Sequence, residues 1–215
     1  MSRETSLVTA EWVASNLNNP SVVIVEVDED TTLYAQGHIE NAITFHWRED
    51  LQDGLIRDLI SKEKFEALLS KSGISNDTTV VLYGGNNNWF ATYAFWYFKI
   101  YGHADVRLLD GGRKRWELDA RPFVTTVPTR TATIYKAKER DNSIRAYRDE
   151  VIAAELFGPE VSLDSRERMG DLIAIAKGEM ILVDPSRIKE ESKMVGHHGG
   201  LEAIEVAIPL LTHQS

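Results

Sequence analysis

Apolar and polar positions fall in blocks along this chain. Val22-Val23-Ile24-Val25-Glu26-Val27 is apolar almost throughout, and so are Thr79-Val80-Val81-Leu82-Tyr83 and Val106-Arg107-Leu108-Leu109. Short runs rich in β-branched residues and bounded by turn formers predict strands covered on both faces. Stretches with helical spacing lie between them. Residues 10–17 follow Thr9 as N-cap and turn Trp12 and Val13 inward. A second helix opens at Ser61-Lys62-Glu63-Lys64, sets Phe65, Leu68 and Leu69 at i, i+3, i+4 and ends near Gly73. Residues 89–101 form a third, apolar nearly all round through Phe90, Tyr93, Phe95, Trp96, Tyr97 and Phe98, so it should be buried on more than one side. A fourth, 113–118, carries Trp116. Strands alternating with helices predict an α/β fold with a mainly parallel central sheet flanked by helices.

The texture changes beyond Arg121. Pro122, Pro128, a cluster of threonines and the charged run 136–141 read as a wrapping segment or linker. Helical order resumes over 144–155, with Tyr147, Val151 and Ile152 on one face. Farther on, 172–176 and 180–183 have the look of two hairpin strands, too few to be stable alone in water.

The crevice beyond the carboxyl ends of parallel strands is where ligands and catalytic groups sit. The loop Gly84-Gly85-Asn86-Asn87-Asn88-Trp89 follows the central strand and starts a helix whose free N–H groups and dipole suit an anion. It is the candidate site, for an anion or a partner, and it lacks a nucleophile. Asp28-Glu29-Asp30 has the chemistry of a base or metal ligand, although a solvated loop is the plainer expectation. Gly37 permits a tight turn, and His38 beside it is expected to hydrogen-bond a neighbouring loop rather than to catalyse. The formal net charge of -9 disfavours nucleic acid and anionic membranes as partners. With 0 cysteines, disulfides, thiolate metal sites and cysteine nucleophiles are excluded within these residues, which fits a cytoplasmic protein. No apolar run after Met1-Ser2-Arg3-Glu4 suggests a signal peptide, and none is long enough to span a bilayer.

Several of these pieces, in this order and spacing, resemble the rhodanese, or thiosulfate sulfurtransferase, family. They are 22–28, Gly37-His38-Ile39 with Ala42, Val80-Val81-Leu82-Tyr83, Asn86-Asn87-Asn88-Trp89, and Leu109-Asp110-Gly111-Gly112 with Trp116. The resemblance covers about 5–152 and is to the N-terminal half of two-domain members. In that family a cysteine after the central strand takes sulfur from thiosulfate as a persulfide, helped by loop N–H groups and an arginine; such a thiolate needs a lowered pKa. Gly84 stands at the aligned position, so the resemblance implies the non-catalytic copy, with Gly37, His38, Asp110, Gly111 and Gly112 as structural motif residues. It also implies a partner, a cysteine-bearing sulfurtransferase domain; separately, the apolar face of 89–101, if left uncovered, would favour a second copy of this chain. Arg113, Lys114, Arg115, Arg145 and Arg148 would be the basic groups available to a cysteine-bearing partner, although a solvated helix face is the plainer expectation for each.

Residues 153–215 form a separate C-terminal appendage in this reading. The stretch Gly196-His197-His198-Gly199-Gly200 is similar to the end of alkaline-phosphatase-superfamily nucleotide pyrophosphatase/phosphodiesterase-like proteins, where a histidine matching His198 binds metal. One histidine is not a metal site. No cofactor is therefore expected, with zinc at His198 as a remnant the exception. The alternatives to an inactive rhodanese-like domain, 1–152, are that metal-binding remnant or a non-native fusion or truncation product.

Overall fold

The computed structural model describes residues 3–55 and 58–153. Its strands are β1 (Leu7–Val8), β2 (Val22–Asp28), β3 (Ile43–His46), β4 (Thr79–Tyr83) and β5 (Val106–Leu109), in the spatial order β1-β5-β4-β2-β3. Every pairing is parallel, with Ile24 opposite Val81 at the centre. The α/β fold with a parallel sheet between helices follows from this order.

Alternation along the apolar strands builds two cores, because successive side chains leave opposite faces. Val23, Val25, Val27, Val80 and Leu82 point to one face, under α4 (Lys62–Lys71) and α5 (Gly85–Ile100). Val22, Ile24, Val81 and Tyr83 point to the other, under α2 (Ala10–Ser15) and α6 (Gly112–Leu118), where Trp116 is buried. Thr9 accepts a hydrogen bond from Trp12 N–H and Ser61 one from Lys64 N–H, so both predicted N-caps act as caps. On α5, Ala91, Ala94, Tyr97, Phe98 and Ile100 are buried while Thr92 is exposed. That helix is covered on a broad face, not all round.

Four elements carried too weak a pattern to be read from sequence: α1 (Arg3–Ser6), β1, α3 (Thr32–Gln36) and β3. The two-residue β1 is defined by its partner β5, which no local period reveals. Residues 121–141 contain neither helix nor strand beyond a bridge from Val124 to His38, yet they are not a loose linker. Thr133 N–H bonds Ser70 O, Ala137 N–H bonds a Glu66 carboxylate, and Lys138 and Asp141 N–H bond Tyr101 O and Ile100 O. Buried Tyr135 meets His103 Nδ1 at 3.1 Å, and burial pushes His103 below the usual imidazole range. The segment is a strap tied to the domain it wraps by backbone hydrogen bonds.

The residues through Ile144 make one compact unit, and Arg145 begins another. In the second, described through Ala153, α7 (Arg148–Ala153) starts after half-exposed Tyr147, whose N–H bonds the Glu150 carboxylate at 2.7 Å. The Arg145 guanidinium lies over the Tyr147 ring.

Candidate functional site

Three chain segments converge at the carboxyl end of the sheet: the end of β2, the loop after β4, and the turn from β5 into α6. Gly84 continues β4 in extended conformation, and a Cβ there would stand well under 3.0 Å from Val27 O. No side chain fits at this position in this backbone. Asn86, Asn87 and Asn88 follow, all left-handed, with φ of 45, 54 and 65, before the right-handed helix starts at Trp89. Asparagine tolerates this region better than other L-residues with side chains, which is why the loop reads as it does.

Asn88 turns inward and joins the loop to its neighbour. Its Oδ1 accepts Gly84 N–H at 3.0 Å and its Nδ2 donates to Leu109 O at 2.7 Å. Gly112, at φ 55, lies so close that a Cβ would collide with the Asn88 amide, and Arg113 N–H donates to Gly84 O at 3.0 Å. Asn88→Ala removes both amide bonds and strands a buried N–H and a buried carbonyl. The expected loss is about 2 kcal/mol of unfolding free energy, read by urea denaturation; a loss under about 0.5 kcal/mol would show that the buckle is not needed.

A charged network lies beneath the loop. Glu26, 1% exposed, receives Arg113 Nη1 at 2.9 and 3.0 Å and a hydrogen bond from the Tyr83 hydroxyl. That hydroxyl in turn accepts Ile39 N–H, and Arg113 Nη2 donates to Gly37 O. The guanidinium also stacks 4.3 Å from the Phe123 ring. Burial pushes the Glu26 carboxyl above the usual range, opposed by Tyr83 and Arg113, and pushes the Tyr83 hydroxyl well up. Asp28, 4% exposed, accepts Gly85 N–H at 2.8 Å; burial raises its carboxyl too, against the pull of Gly85 and Arg113.

Gly84, Gly85 and Gly112 thus meet around the Asn88 amide and the Asp28 carboxylate; Gly37 joins them through its carbonyl on Arg113, and Gly111, left-handed at φ 74, opens α6. Asn86, Asn87 and Trp89 form the loop's exposed rim, with Trp89 42% accessible. Asp110 leaves β5 with its N–H on Val8 O. His38 is apart and fully buried, with Nδ1 2.8 Å from Tyr34 O, Nε2 3.1 Å from Thr126 O and its ring stacked on Tyr34. Two expectations are corrected here. Asp28 is not part of a solvated acidic loop, because the Gly85 N–H above it holds it inside. Arg113 is not offered to a partner or an anion, because Glu26 and Gly37 O consume it. Lys114 and Arg115 pair at the surface with Glu117 and Asp119. The loop's capacity for an external anion is also reduced: Gly84 and Gly85 N–H are taken by the chain's own oxygens, one of them a carboxylate.

Sequence reasoning named Asp28 and Arg113 but missed what holds them, the Gly85 N–H and the Glu26 carboxylate. Glu26 did give a signal, since a lone carboxylate inside an apolar strand demands a buried partner. His198, the side chain of Arg148 and the appendage 154–215 lie outside the described residues. Among the described residues no group of three or more His, Cys, Asp or Glu is placed to hold a metal, and no helix is long and apolar enough to cross a membrane.

Comparison with known proteins places this geometry. A family model for the rhodanese-like domain matches residues 9–119. A putative thiosulfate sulfurtransferase of Mycolicibacterium smegmatis is 61% identical over 204 residues, 93% of this chain and 69% of that protein. One from Saccharopolyspora erythraea is 61% identical over 179 residues, 82% of this chain and 63% of its own length. The chain therefore spans only about two-thirds of such relatives. Among solved structures, Escherichia coli SseA, a 3-mercaptopyruvate sulfotransferase, superposes with a TM-score of 0.60 at 20% identity, covering 70% of this chain and 62% of that one, which speaks to fold alone. The M. smegmatis alignment runs past residue 153, into the segment for which a phosphatase resemblance was expected, and neither relative is named a phosphatase.

Proposed function

From the premise that this chain belongs to the rhodanese-like family, we propose that its 215 residues are a non-catalytic sulfurtransferase module. One observation carries the reading: the family's fold is intact and the chain has 0 cysteines. The persulfide chemistry of a thiosulfate sulfurtransferase needs a thiolate. Sulfur transfer in which this module takes part therefore uses a cysteine outside these residues.

The geometry at the loop supports the same reading. Gly84 has no room for a side chain, and the Gly85 N–H that would help to cradle an anion already binds Asp28. What the loop offers outward is Asn86, Asn87 and Trp89, two neutral amides and an indole. Such a rim suits a protein surface better than a small anion, since Trp combines large apolar area with a donor. The partner in this proposal is a cysteine-bearing sulfurtransferase domain, met in the cytoplasm.

The purified chain, given thiosulfate and cyanide, is expected to form thiocyanate at the rate of the protein-free blank. It is also expected to show no persulfide adduct by intact-mass spectrometry after thiosulfate alone. Turnover above the blank that scales with protein concentration would overturn the assignment.

A further inference from the structure

One buried carboxylate holds the backbone of the exposed loop from below. Asp28 is the last residue of β2, and its Oδ2 is 2.8 Å from the donating Gly85 N–H. Directly beyond Gly85 the backbone runs left-handed through Asn86, Asn87 and Asn88. Side-chain-bearing residues avoid this region, and three in succession persist only where the surroundings hold them. Asn88 is held by its amide bonds to Gly84 and Leu109. Asn86 and Asn87 are exposed, and neither side chain makes a hydrogen bond among the described residues. The arc is pinned at its two ends, and the pin at Gly85 is a single charged hydrogen bond.

We propose that Asp28 is a proton-operated latch for this loop. As a carboxylate it fixes Gly85 and holds Asn86 and Asn87 left-handed. When it takes up a proton the charge that strengthens the bond is gone, and Asn86 and Asn87 return to right-handed or extended backbone with Trp89 shifting beside them. Burial supports the device, since it already favours the protonated form of Asp28. The charged and titratable groups around Asp28 are Arg113 from α6, His46 at its register partner on β3, Asp30 in the following loop and Glu26 on its own strand. The Gly85 hydrogen bond and Arg113 oppose protonation, and Asp30 promotes it. The latch goes beyond the module's assignment and does not depend on sulfur chemistry or on a partner.

Amide NMR of the full ¹⁵N-labelled chain tests it. The Gly85, Asn86 and Asn87 signals are expected to titrate together with one midpoint above the aspartate's usual 3.8. In Asp28→Asn, whose side chain carries no charge at any pH, that common titration disappears while Glu26 and Asp30 remain to titrate. In Asp28→Ala, the three amides sit at neutral pH where the wild type has them in acid, and Gly85 exchanges with solvent roughly tenfold faster than in the wild type. If Asp28→Ala does not fold, the wild type against Asp28→Asn decides. The latch is refuted by a titration that persists in Asp28→Asn, or by Gly85 moving in the wild type while Asn86 and Asn87 stay still.

Discussion

Replacing Gly84 by cysteine is expected to leave thiosulfate:cyanide turnover at the blank level and to cost about 2 kcal/mol of stability. The family resemblance makes this the natural repair, because the nucleophile aligns here. The geometry opposes it twice. A Cβ at Gly84 would stand well under 3.0 Å from the Val27 carbonyl, which is strand backbone and cannot rotate aside. The β2–β4 pairing that ends at Glu26 and Tyr83 would have to part to admit it. A thiol that did enter would stand beside the Asp28 carboxylate, 3.5 Å from the Cβ position. A neighbouring negative charge raises a thiol's pKa, whereas the persulfide-forming cysteine needs it lowered. The Gly85 N–H that would stabilise a thiolate is already spoken for. A thermal melt of the variant should fall by roughly 4–8 °C for a chain of this size. Thiocyanate production above that of the parent chain, or an unchanged melt, would mean that the loop has room and that the module is one substitution from activity.

That these residues supply no thiolate was legible from composition, and the crowding at Gly84 only partly so. The absence of cysteine is a fact of the sequence. The runs 22–27 and 79–83 carry both their strand character and their central place in the sheet, since a strand covered on both faces is apolar at nearly every position. The glycine-asparagine loop announced irregular backbone, because Gly and Asn are the residues that enter left-handed conformation. What it could not announce was which oxygen would meet each N–H. Asp28 and Gly85 are joined by parallel pairing of β2 with β4, a tertiary fact with no local period. Acidic residues at a strand end are solvated in most proteins, so Asp28 read as solvent-facing. Of the strap 121–141 the wrapping was legible but not its anchors: its threonines and prolines have no periodicity because its order comes from hydrogen bonds to α4 and α5, not from its own pattern. Arg113 was read as an available cation for the same reason, since its partner Glu26 is distant in sequence and hidden in a strand.

That pair sets the second large effect. Arg113→Ala is expected to destabilise the fold by about 3–5 kcal/mol at neutral pH, because it leaves the Glu26 carboxylate buried without its counter-charge. The loss spreads beyond one ion pair. Arg113 also ties Gly37 O and covers Phe123, so the turn that carries His38 and the start of the strap loosen with it. The pH dependence carries a definite sign. Burial raises the Glu26 carboxyl above its usual 4.5 even with Arg113 and Tyr83 opposing. An acid whose folded pKa is raised contributes stability that is whole below the unfolded value and is lost as pH climbs through the folded one. Without Arg113 the Glu26 pKa rises further. The variant's deficit should therefore be largest at neutral pH and shrink as pH falls toward the ordinary carboxylate range, where Glu26 takes up a proton and needs no counter-charge. Urea denaturation at pH ~7.5 and ~5 measures both points. The double variant Glu26→Gln/Arg113→Met should recover much of the loss and show little of this slope, since it removes the charge together with its partner. A deficit under about 1 kcal/mol at neutral pH, or one that grows on acidification, would show that Glu26 is protonated in the native protein and that Arg113 serves packing more than charge.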